Sequence, residues 1–96
     1  MEITDDLRIQ FCAAANLNDT EKMKPYLENI KKDAEAKEIL QIAFTMAVGR
    51  QSRNAMEMLI PYMKEAGIDE ASQLGLAAVS GTKAGVNMYK SIIGTK

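Results

Sequence analysis

Leu7, Ile9, Phe11 and Ala14 are answered 33 positions later by Leu40, Ile42, Phe44 and Ala47, and fragments of the pattern return about 32 residues further on. A period in this range is the mark of stacked supersecondary units, each too small to bury its own apolar face. With 96 residues there is room for three such units in one domain spanning residues 1–96, with a modest shared core.

Apolar positions recur at steps of three and four, and the alternation expected of strands is scarce, so helices should dominate. Thr4, Asp5 or Asp6 can open the first helix, with Leu7, Ile9, Phe11, Cys12, Ala14 and Ala15 as its periodic side chains, and Asn16 to Asn18 close it. Asn18 or Asp19 opens a second, with Met23, Tyr26, Leu27 and Ile30 inward and Lys31 and Lys32 in the last turn. Asp33 caps a third, carrying Ile39, Leu40, Ile42, Ala43, Met46 and Ala47 to a stop at Gly49. Ser52 opens a fourth with Ala55, Met56, Leu59, Ile60 and Met63, ended by Gly67. Asp69 begins a fifth with Leu74, Leu76, Ala77 and Val79, and Thr82 a sixth with Val86, Met88, Tyr89, Ile92 and Ile93. Short links make neighbouring helices antiparallel, so the expected fold is all-α: six helices as three stacked helix pairs, or a compact helical bundle. Pro25 and Pro61 fall inside the second and fourth helices, each before a tyrosine, and should kink them or delay their start.

Each unit then reads helix, turn, helix, link. In Ala47-Val48-Gly49, Met58-Leu59-Ile60-Pro61, Ala66-Gly67-Ile68-Asp69 and Leu76-Ala77-Ala78-Val79-Ser80-Gly81 the chain resembles the ankyrin-repeat family, in its irregular forms. It departs from the regular unit in lacking the Thr-Pro-Leu-His start and the glycine-rich hairpin finger. The resemblance implies protein binding through a concave surface and the turns, without catalysis.

The residues themselves offer little chemistry. No histidine is present, which removes the usual base near neutral pH and the commonest transition-metal ligand, and the single cysteine, Cys12, cannot form an internal disulfide. Cys12 lies in an apolar run and reads as a small core residue. Glu35, Glu38, Glu65 and Glu70 sit in amphipathic contexts, with no acid and base pair among them. Gly81-Thr82-Lys83-Ala84-Gly85 lacks the spacing and preceding strand of a phosphate-binding loop. No catalytic residue, cofactor or metal is expected.

Twelve basic against 13 acidic side chains leave a formal charge of −1, without the clustered basic face that nucleic acid requires. The start of the chain lacks the character of an export signal and no apolar run approaches membrane-spanning length, so the expected setting is cytoplasmic, away from membranes. What remains is another protein as partner. The turns between paired helices should share one edge, offering Asn18, then Arg50, Gln51 and Arg53, then Lys83, with Met58 off the core stripe of its helix. The expected function is an adaptor or inhibitor. A small effector, such as a phage-type inhibitor of a host or defence complex, and a module that pairs with its own copies as a homodimer are the alternatives. Asp5, Asp6 and Arg8 should give the first helix a polar cap, while Ile92 and Ile93 leave the other end less protected.

Overall fold

The computed structural model describes residues 2–94, and among these the fold is all-α. Helix α1 spans Asp5–Asn16, α2 Thr20–Leu27, α3 Ala36–Gly49, α4 Arg53–Glu65, α5 Glu70–Val79 and α6 Lys83–Gly94, with one 3-10 turn, Ile30–Lys32, between α2 and α3. Thr4, Asp19 and Asp69 each precede a helix and accept a backbone N–H three residues on, from Leu7, Lys22 and Ser72. This satisfies a donor that the first helical turn cannot satisfy itself.

Three helices end on the same bonding pattern. The N–H groups of Asn18 and Asp19 donate to Ala15 and Ala14, those of Gln51 and Ser52 to Val48 and Ala47, and those of Gly67 and Ile68 to Lys64 and Met63. The residue at the centre of each is left-handed, at φ of 61° for Asn18, 55° for Gln51 and 87° for Gly67. These are the crossed bonds of a Schellman ending. Gly49, expected to supply the left-handed stop of α3, is instead its last helical residue, and Gln51 takes the strained position. Gly81, at φ 78°, turns the chain between α5 and α6.

The helices form two rows. In one, α3 packs on both α1 and α5; in the other, α4 packs on both α2 and α6. Within each pair, α1 packs on α2, α3 on α4 and α5 on α6. A single core runs between the rows, containing Phe11, Met23, Tyr26, Leu40, Phe44, Met56, Leu59, Ile60, Met63, Ile68 and Tyr89.

Ile9, Ile42, Leu74 and Val79, read as inward from the sequence, are exposed. Helical geometry explains Ile9, Ile42 and Val79: residues two apart differ by about 200° around the axis. Phe11, Phe44 and Ala77 take the inward direction, and their second neighbours Ile9, Ile42 and Val79 must face out. The chain's own inward choices on α5 are Gln73 and Ala77. The two Pro-Tyr pairs also part company, since Tyr26 is fully buried whereas Tyr62 is half-buried. Both prolines lie within their helices, which begin directly after Asp19 and Ser52.

Candidate functional site: a stapled edge of turns

Counting from the left-handed residues Asn18, Gln51 and Gly81 brings the three pairs into one register. The next residue is Asp19, Ser52 or Thr82, in each case a short side chain carrying oxygen. Asp19 caps its own helix. Ser52 precedes α4 but makes no capping bond; its hydroxyl donates to the carbonyl of Asn16 at 2.8 Å. Thr82 does the same one pair later, donating to the carbonyl of Val48 at 3.4 Å. Both acceptors lie at the end of the preceding pair's first helix, where carbonyls lack intrahelical partners. Asn18 strengthens the first joint, its Oδ1 accepting the Ala55 N–H at 2.9 Å.

The second joint uses close approach. Gly85 is buried, and a Cβ there would collide with the Val48 carbonyl oxygen and run into its side chain and that of Thr82. Gly85 is therefore a packing residue, which accounts for the glycine in the segment Gly81–Gly85 without a phosphate.

Side-chain-to-backbone bonds thus place the three turns side by side as one edge. Of the residues expected to bind there, Arg50 and Gln51 are exposed, and Lys83 is exposed at the start of α6. Arg53 is exposed and paired along its helix with Glu57 at 3.0 Å. Asn18 is on the same edge, but its carbonyl oxygen is engaged in the joint. Met58 is half-buried against the core. Sequence reading missed the clasping role of Ser52 and Thr82. Their signal was a hydroxyl immediately after each turn residue, taken as a helix opener.

A second polar constellation lies in the first pair. Asp33 has a fully buried side chain and accepts from Arg8 Nε at 3.0 Å, a terminal Arg8 nitrogen at 2.8 Å, Tyr26 Oη at 2.6 Å and the Glu35 N–H at 2.9 Å. Arg8 also reaches Asp5 at 2.8 Å and Glu35 at 3.2 Å. The Arg8 fork holds the Asp33 carboxyl well below the usual carboxylate range, and hydrogen bonding to Asp33 raises Arg8 in turn. Burial, then the bond to Asp33, pushes the Tyr26 hydroxyl up. Four donors on one carboxylate leave no lone pair for a proton transfer, so the cluster fastens α1 and α2 to the link before α3.

Beside it lies a groove of about 400 Å³ floored by Leu27, Leu40, Tyr62 and Ala66, with Lys31 and Glu65 3.8 Å apart at its mouth. Cys12 is half-buried and burial pushes its thiol up, away from the reactive thiolate. Among the described residues every buried side-chain polar atom has a partner, no cluster of three or more His, Cys, Asp or Glu side chains could hold a metal, and no helix is long and apolar enough to cross a membrane. Comparison with protein-family models, with curated proteins and with solved structures finds no match.

Proposed function

We propose that this chain is a non-enzymatic protein-interaction module, an ankyrin-like stack of helix pairs that acts as an adaptor or inhibitor through its edge of turns. One observation carries the reading: the turns are bound to one another by Ser52, Thr82 and Asn18, so Arg50, Gln51, Arg53 and Lys83 project from backbone that is already ordered. A preorganised surface loses less entropy on binding than a mobile loop would. The three cations favour a partner with an acidic face, and arginine supplies several fixed donors for carboxylates.

The test is capture of a partner on the immobilised protein, its identification by mass spectrometry, and titration of the purified partner against wild type and the triple variant Arg50→Glu, Arg53→Glu, Lys83→Glu. Affinity should fall at least about tenfold, as for charge reversal at a complementary interface. Equal affinity for both proteins rejects this edge as the binding surface.

A further inference from the structure

The two ends of the helix row are built differently, and the shared register shows how. Phe11, Phe44 and Leu74 each stand seven residues before the left-handed turn residue of their pair. Phe11 and Phe44 are fully buried, and Phe44 meets Tyr89 of the following pair edge-on at 5.6 Å. Leu74 occupies the same position on α5 and is 39% exposed, since among the described residues no helix packs on that side. With it on the open face of α5 lie Ala71, Gly75, Ala78 and Val79, the last 76% exposed. The isoleucines expected to be unprotected, Ile92 and Ile93, are buried and half-buried.

At the opposite end, the open face of α1 carries Asp6, Ile9, Gln10 and Ala13, continued by Leu17. Ile9 is 65% exposed and Leu17 67%. Among the described residues, four of the five large exposed apolar side chains therefore lie on the two terminal helices of the row or beside them. Charge divides the same way beyond the first residue of α5, Glu70, which lies 3.8 Å from Lys64. From Ala71 onward the sequence contains no acid and three lysines, of which Lys83 and Lys90 are exposed and form no ion pair among the described residues. The opening residues carry Glu2, Asp5 and Asp6, with Arg8 turned inward onto Asp33.

The geometry points to a second copy of this chain as the occupant of the open α5 face, docked head to tail by its α1. Apolar side chains then meet apolar side chains, and Lys83 and Lys90 approach Glu2, Asp5 and Asp6 of the neighbouring copy. Pairing tail to tail would bring the lysines against their own counterparts, and pairing head to head would do the same to the acids. A head-to-tail contact is heterologous: each copy retains one free end, and addition continues unless the rotation closes a ring. This surface shares only Lys83 with the edge of turns proposed above; Arg50 belongs to that edge alone, so its reversal distinguishes failure of one reading from failure of the other.

Sedimentation of the full chain at rising concentration should show mass growing beyond a dimer, and high salt should suppress that growth. Two variants, each checked for an unchanged helical spectrum and melting point, then separate the ends. The tail variant is Leu74→Glu, Val79→Glu; the head variant is Asp6→Lys, Ile9→Lys. Each alone should lose association, and their equimolar mixture should stop at a one-to-one dimer, because one intact head meets one intact tail. Arg50→Glu should leave the mass unchanged. A wild type that stays monomeric, leaving the face to some other protein, overturns the proposal. So does a head variant that still self-associates, which would be tail-to-tail pairing, or a mixture that remains monomeric.

Discussion

The first and last helix pairs solve one problem with opposite chemistry. In each, a buried tyrosine eight residues beyond the turn sets its ring against a phenylalanine and its hydroxyl on a polar side chain near a link: Tyr26 stacks on Phe11 at 4.4 Å and donates to Asp33, while Tyr89 meets Phe44 and donates to Gln73 at 2.8 Å. The first network is ionic, closed by Arg8. The last is neutral, closed by Gln73 Nε2 donating to the Ile68 carbonyl at 3.0 Å. A carboxylate taken out of water needs charge and several donors to be tolerated, whereas a carboxamide is satisfied by two partners. The head is therefore strong and dependent on pH; the tail is modest and indifferent to it.

The severest break in this comparison is Asp33→Ala, which strips Arg8 and Tyr26 of their acceptor. It should cost on the order of 3 kcal/mol in chemical denaturation at neutral pH. Next comes Gly85→Ala, where backbone rather than a flexible side chain must yield. A loss of about 2 kcal/mol is expected, with the melting point falling accordingly. Tyr89→Phe leaves Gln73 Oε1 without its donor and should cost about 1 kcal/mol, equally at pH 7 and pH 3. An acid-dependent loss in that variant would erase the contrast between the two networks.

The subtlest test concerns the acid limb of stability. Because Asp33 is depressed in the folded state, its contribution is complete above the unfolded carboxylate value, about pH 4, and is lost as pH falls from there toward the folded value. Asp33→Asn should flatten the acid limb of the melting curve. A variant curve parallel to wild type would assign the acid sensitivity to other carboxylates.

The helices were legible in the sequence because their punctuation is local: Thr4, Asp19 and Asp69 cap the helices they were read to open. The facing of α5 was not legible. Leu74 is apolar by type, and only the absence of a neighbour on that side decides that it meets solvent, while buried Gln73 is tolerated through Tyr89 and Ile68. Asp33 was read as a helix cap, a reading that its bond from the Glu35 N–H partly repays, but Arg8 lies 25 residues away and no local signal joins them. Of the edge residues, Arg50, Gln51 and Lys83 could be placed from the turns alone. The engagement of Asn18 depends on Ala55, a contact between pairs that spacing within one pair does not reveal.

The clasps between pairs all run in one temporal direction. Ser52, Ala55 and Thr82 supply the donors, and each acceptor was synthesised earlier, at Asn16, Asn18 and Val48. As the chain leaves the ribosome, each pair presents an acceptor that stays open until the next pair emerges, so the edge of one pair is completed only by its successor.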